Sequence, residues 1–307
     1  MNNKKIVPAI VILLAVIGIA SYLYNSHTYD FEEHERFVCV GEGKLLHVTT
    51  ATPKEPSNKY VFIVHGDGPI DASHQSLYYP IWEVLTNNGW NVVSWDKPGI
   101  GQSRGDWLQQ SMDDRIQETK RMIGYFNDAD EIVVLGMSQA GWVVPRVVEE
   151  TQAVRGILIS PAINWHEQME FQRQQTLTAE EHKRLEQYIR QGKYEDYVAA
   201  GGDLSRARFG FMQKNLDVDV RQDLRHLTKP IVLIGGSSDQ KVDIEKTFDT
   251  YEEIVSDDLL TTYWIEGVDH EMIPESYKPI RRWVKAYLAP RTLYSEQYLK
   301  VLNDITS

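Results

Sequence analysis

Apolar residues along this chain fall into short unbroken runs, separated by polar stretches where they return every three or four positions. The runs "YVFIVHG" (60–66), "WNVVSWD" (90–96), "EIVVLG" (131–136), "VRGILIS" (154–160) and "PIVLIGG" (230–236) have the length and character of strands buried on both faces. "KLLHVTT" (44–50) and "LLTTYWIEG" (259–267) also read as strands, and "RFVCV" (36–40) alternates like one, with Cys39 on its buried side as a small hydrophobe. Helices are predicted at 76–89, where Asn-Asn-Gly stops the pattern, and at 111–126, where Ser111 and Asp114 are spaced as a capping box. Others are predicted from near Ser138, at 243–255 and at 275–289, while 290–307 reads equally as a last helix or a loose tail. Strand-then-helix units in series predict an α/β fold, a mostly parallel sheet with helices on both faces.

Two stretches depart from that rhythm. Residues 6–24, "IVPAIVILLAVIGIASYLY", carry no charge and approach the ~20 apolar residues that span a bilayer. Lys4 and Lys5 precede the run and an acidic stretch follows it, which sets the N-terminus in the cytoplasm and the rest outside. The rival is a cleaved signal peptide, since Gly18-Ile19-Ala20 resembles a small-x-small cleavage site. The expected location is the cell membrane, with secretion after cleavage near Ala20 as the alternative. The second departure is 164–225, charged and helical with no strand-like run, which is expected to be a helical cap inserted between two core strands. The expected organisation is therefore a membrane segment at 1–25, a core at 26–163, the cap at 164–225 and the rest of the core at 226–307.

Composition narrows the chemistry. A net charge of −12 disfavours nucleic acid or an anionic membrane surface as the main partner. One cysteine in 307 residues excludes an intramolecular disulfide and a thiolate metal cluster. No metal or organic cofactor is expected.

Candidate chemistry gathers where strands end. "GMSQAG" (136–141) puts a serine between small residues just as a buried strand gives way to a helix. That is the context of a nucleophile elbow, whose strained bend exposes the Ser138 hydroxyl and leaves no room for larger neighbours. In this order of elements the acid and then the base follow the nucleophile. His270, in "GVDHEM", comes directly after the strand 259–267; Asp239, in "GGSSDQKVD", comes just after 230–236, with Asp243 as its rival. Either aspartate would otherwise be a plain helix cap. An oxyanion needs two donors, expected from the backbone N–H groups of Gln139 and of Asp67 in "HGDGP". The Asp67 carboxylate must then point away from the charge it helps to hold. His65 comes before the nucleophile and is expected to orient that loop.

Together "HGDGP" (65–69), "WDKPGIGQSRG" (95–105), "GMSQAG", "GGSSDQKVD" and "GVDH" (267–270) resemble the α/β-hydrolase superfamily over residues 37–289. "SQAGW" is similar to bacterial serine hydrolases of the esterase and peptidase-like branches. Ala140 departs from the usual glycine, and Asp67 stands where a small residue is frequent. "GIGQSRG" lacks dinucleotide-fingerprint spacing and reads as a turn. The resemblance implies a serine hydrolase with Ser138, Asp239 and His270 as its triad. The cap aromatics Trp165, Phe171, Tyr188, Phe209 and Phe211 suggest a pocket for an apolar acyl group, so a carboxylic ester is the expected small-molecule substrate. The alternatives are a peptidase or amidase of the same fold and a non-catalytic binding protein. Nothing in the sequence sets the oligomeric state.

Overall fold

The computed structural model describes residues 3–41, 43–173 and 178–307, and for residues 3–11 and 173 the backbone only. Eight strands form one sheet: β1 (Glu32–Cys39), β2 (Leu45–Thr52), β3 (Lys59–Val64), β4 (Trp90–Trp95), β5 (Glu131–Met137), β6 (Arg155–Ile159), β7 (Ile231–Gly236) and β8 (Leu260–Ile265). Their spatial order is β1-β2-β4-β3-β5-β6-β7-β8. β1 and β2 run antiparallel to their neighbours, and every pairing from β4 to β8 is parallel.

The helices in chain order are α1 (Asn3–His27), α2 (Tyr79–Asn87), α3 (Met112–Tyr125), α4 (Val144–Glu150), α5 (Trp165–Arg173), α6 (Ala179–Arg190), α7 (Tyr194–Ala199), α8 (Arg206–Asn215), α9 (Arg221–Leu224), α10 (Ile244–Ile254), α11 (Pro279–Leu288) and α12 (Glu296–Thr306). Strand side chains alternate between two apolar layers, as the period of two requires. Phe62, Val64, Ile132 and Val134 face a layer built with α3, α4 and α10. Val61, Ile63, Val133 and Leu135 face one built with α2 and α12. Both faces of the sheet are covered, so its central strands carry no polar face.

The order reverses at β3, which leads to β4 on one side and lies against β5 on the other. Loops leaving the carboxyl ends of β3 and β5 therefore diverge and open a crevice. Helices α5 to α9 fill the interval between β6 and β7 and stand over that crevice. Capping boxes start α3, with Ser111 and Asp114, and α6, with Thr178 and Glu181.

Several sequence expectations need correction. Cys39 is exposed, because Val38 in β1 and Val40 just beyond it point inward; a one-residue shift of register swaps the face of every side chain. Helix α2 starts only at Tyr79, because His74, Gln75 and Ser76 all have positive φ. After Ser138 the chain makes a 3-10 turn to Trp142 before α4 begins. Residues 290–307 form a short turn and α12, which buries Tyr298 and Leu302.

From Ile12 onward the apolar side chains of α1 stand exposed, Ile12 at 64% and Tyr24 at 68%. Among the described residues no helix is long and apolar enough to cross a membrane. The expected spanning run, 6–24, lies partly outside them, since its side chains are described only from Ile12.

Candidate active site

The elbow is built by close approach. Ser138 has φ 55°, a left-handed conformation that a non-glycine residue holds only when its surroundings enforce it. A Cβ on Gly136 would lie 2.5 Å from a Val144 methyl and 2.9 Å from the Ala140 Cβ, and one on Gly141 would lie 2.5 Å from the Pro161 Cβ. The small residues let β5, the turn and α4 pack this tightly, and the Ala140 methyl occupies space that Gly136 leaves open.

The residues expected to be acid and base stand at neighbouring strand ends. Asp239 follows β7, and its Oδ2 accepts the Nδ1–H of His270 at 2.8 Å. Its Oδ1 accepts backbone N–H groups of Lys241 at 2.8 Å and Val242 at 2.9 Å, which fix the carboxylate plane. The Asp239 side chain is fully covered and that of His270 is 11% exposed. A carboxylate can only accept, so this bond puts the His270 proton on Nδ1 and leaves Nε2 with a free lone pair. The loop carrying His270 is pinned by Asp269, whose Oδ1 accepts N–H groups of Glu271 and Ile273, both at 3.0 Å. The rival acid is placed elsewhere: Asp243 caps α10, accepting the Lys246 N–H at 3.2 Å.

Ser138 and His270 line one cavity of about 940 Å³, though no hydrogen bond joins them among the described residues. Such bonds are commonly long in empty sites and tighten around substrate. The Gln139 N–H lies at the start of the 3-10 turn, where backbone donors have no intrahelical partner. Across from it, the loop after β3 brings Gly66 and Asp67 to the same cavity.

Three buried or half-buried cations hold this loop. Lys97 lies in the stretch 95–105, which reads as a turn, and Arg115 and Arg208 fall in none of the quoted motifs. Lys97 donates to the carbonyls of Gly66 and Gly68. Arg115 donates to the His65 carbonyl at 2.5 Å and to Gln139 Oε1 at 2.8 Å. From the cap, Arg208 takes both oxygens of Asp67, and Gln139 Nε2 donates to Asp67 Oδ1 at 3.2 Å. The Asp67 carboxylate is thus held in an ion pair with α8. Burial, with Lys97 nearby, pushes the His65 imidazole well below its ordinary pKa. Burial first, then Arg115, pushes the Lys97 ammonium down as well. His65 Nε2 donates to the Trp95 carbonyl at 2.8 Å, so His65 orients the loop rather than facing the cavity.

Of the cap aromatics singled out from sequence, Trp165 alone lines the main cavity. Phe209 and Phe211 are buried, against Tyr197 and against Trp107 and Trp165 respectively. Phe171 faces a separate small pocket and Tyr188 packs into the core. The cavity wall under the cap is completed by Trp142, Met169 and Met212. Among the described residues no three His, Cys, Asp or Glu side chains gather to hold a metal ion.

A sheet of this order with an elbow at β5 and an Asp–His pair beyond β7 and β8 defines a class of fold: the chain has the α/β-hydrolase fold. Residues 55–200 match the family described as "Serine aminopeptidase, S33". A search of curated proteins returned no match. Among solved structures, an esterase of Pyrococcus furiosus aligns with a TM-score of 0.60 at 16% identity, over 89% of this chain and 90% of its own. A proline iminopeptidase of Mycobacterium smegmatis gives 0.55 at 18%, over 89% and 100%. Est1E of Butyrivibrio proteoclasticus, solved with ferulic acid bound, gives 0.57 at 15%, over 88% and 96%. At these identities the likeness is one of fold.

Proposed function

We propose that the protein is a serine hydrolase that cleaves a carboxylic ester through an acyl-enzyme. The observation that carries this reading is the Asp239–His270 hydrogen bond, set at the cavity where the left-handed Ser138 presents its hydroxyl. In the first step Ser138 Oγ attacks the ester carbonyl while His270 Nε2 takes its proton. The Gln139 and Asp67 N–H groups receive the oxyanion, and the proton passes from His270 to the departing alcohol. Water then repeats the sequence on the acyl-enzyme and releases the acid. Asp239 holds the Nδ1–H tautomer throughout and stabilises the imidazolium.

A peptidase reading is favoured by the match of residues 55–200 to the serine aminopeptidase family. An aminopeptidase must hold a free ammonium group, usually with a carboxylate. Here Asp67 is already paired with Arg208, and Glu271 with Lys241 and Arg282. Those two carboxylates are neutralised within the protein, whereas Asp203, which also lines the cavity, takes part in no ion pair among the described residues and is the carboxylate that such an ammonium group would meet.

The helix α1 is proposed to anchor the body in the membrane, with the hydrolase outside the cytoplasm. The supports are its uncharged run at 6–24 and the exposure of its apolar side chains from Ile12 onward. Fluorophosphonate labelling at Ser138, followed by turnover of short-chain esters and of aminoacyl amides, tests the chemistry. Turnover of the amides alone would replace the ester reading. An intact Met1 or Asn2 on the membrane-bound protein supports the anchor, whereas a mature N-terminus at Ser21 shows a cleaved signal.

A further inference from the structure

Helix α11 buries none of its residues. Ile280, Trp283, Val284, Tyr287 and Leu288 are between 38% and 81% exposed. Their i, i+3, i+4, i+7, i+8 spacing gathers all five on one face. The other side ties the helix to the body by charge. Arg282 pairs with Asp269 and Glu271, Lys285 Nζ donates to Thr292 Oγ1 at 2.5 Å, and the Arg281 guanidinium lies 4.2 Å over the Tyr277 ring. A ten-residue helix is marginal in water, and it gains stability in proteins by covering its apolar face. This face is uncovered.

Two observations say what covers it. Between 276 and 295 the chain carries Lys278, Arg281, Arg282, Lys285 and Arg291 and no acidic residue, although its net charge is −12. The local sign suits anionic headgroups, and Trp283 with Tyr287 supplies the side chains that favour a membrane interface. Then Arg291, just beyond α11, donates to the carbonyl of Thr28, pairs with Glu83, and sits 4.9 Å over the Tyr29 ring. Thr28 is the residue after the end of α1. The exit of the apolar N-terminal helix and the end of the uncovered helix are thus fastened at one place.

We propose that α11 is an interfacial helix, lying with its Ile280–Leu288 face in the headgroup region of the bilayer, and that the substrate is an ester borne by a lipid. The inner side of α11 supplies Arg282 and Ala286 to the wall of the Ser138 cavity. A lipid leaving the bilayer along α11 meets that wall first, with apolar residues Leu77, Ile81 and Leu293 beyond it for an acyl chain. The inference deepens the ester reading and leans on the anchor reading for the nearness of the bilayer.

The full-length protein carrying photo-reactive benzoylphenylalanine in place of Trp283 is reconstituted into vesicles of phosphatidylcholine and phosphatidylglycerol, floated through high salt and irradiated. A lipid adduct on the peptide containing residues 279–288 is the expected result. Flotation reads the anchor separately. A chain that floats without an adduct overturns α11 docking and leaves the anchor standing; a chain that gives the adduct but does not float does the reverse. A crosslinked dimer means that a second copy covers the face, and overturns the proposal. In a second arm, Ile280→Glu with Trp283→Glu should lower turnover of a long-chain ester embedded in vesicles roughly tenfold while sparing a soluble short-chain ester. Equal turnover of both esters in variant and wild type would overturn the lipid-borne substrate.

Discussion

The sheet wall and the cap wall of the cavity hold their functional groups by different means. On the sheet side, Ser138, Asp239 and His270 stand just past the ends of β5, β7 and β8, at positions set by strand register and by backbone hydrogen bonds. On the cap side, Arg208 reaches Asp67 through a long side chain from α8, crossing 141 residues of sequence. A group fixed by backbone keeps its geometry when the cap moves. A group fixed by an ion pair is released with it. Chemistry is therefore expected to depend on the sheet wall, and the quality of the oxyanion site on the cap.

Replacements in the sheet wall should break this division most visibly. Asp239→Asn is expected to lower turnover by on the order of 10⁴, and Ser138→Ala by roughly a thousandfold or more with loss of fluorophosphonate labelling. Both should leave the melting curve near wild type. Full labelling of Ser138→Ala at another serine would remove it from the nucleophile's role.

The cap wall is sharpened by Arg208→Met. It leaves the Asp67 carboxylate unpaired beside the developing oxyanion, and a drop in kcat of about tenfold to a hundredfold is expected. Combining it with Asp67→Asn should recover most of that loss, since the repelling charge is gone. A double variant no better than the single would show that Arg208 acts on something other than Asp67.

Asp243→Ala provides the contrast within "GGSSDQKVD". It removes the cap of α10 and should cost about 0.5–2 kcal/mol of stability, read from denaturant unfolding, with turnover little changed. A collapse of turnover instead would make Asp243 the acid.

The smallest effect is electrostatic. Burial holds His65 neutral in the folded protein, whereas the unfolded chain binds a proton near its ordinary pKa. Its folded pKa lies below the unfolded value, so stability is whole above about pH 6.5 and falls as pH drops below that, by up to about 1.4 kcal/mol per pH unit. His65→Gln keeps a donor for the Trp95 carbonyl and should flatten this acid slope by one proton. An unchanged slope would mean that His65 takes up its proton in the folded state as well.

The strands were legible because residues buried on both faces leave continuous apolar runs, as in "YVFIVHG" and "PIVLIGG". The start of β1 was not, since "EEHE" is an exposed edge whose pairing comes from the β2 backbone. Side-chain facing was the weakest inference. Phe209 and Phe211 have the composition of a pocket lining, yet three-dimensional packing buries them and leaves Trp165 at the cavity.

The sequence by itself determined the order of strands and helices, the serine between small residues, and the acid and histidine that follow later strands. These are local matters, set by periodicity, steric room at the elbow and the direction of the chain. Only the tertiary structure decided that Asp239 rather than Asp243 meets His270, and that Lys97, Arg115 and Arg208 hold the loop of Asp67. A hydrogen bond or ion pair depends on angstrom-scale distances between residues far apart along the chain, and no local pattern of residue types carries that information.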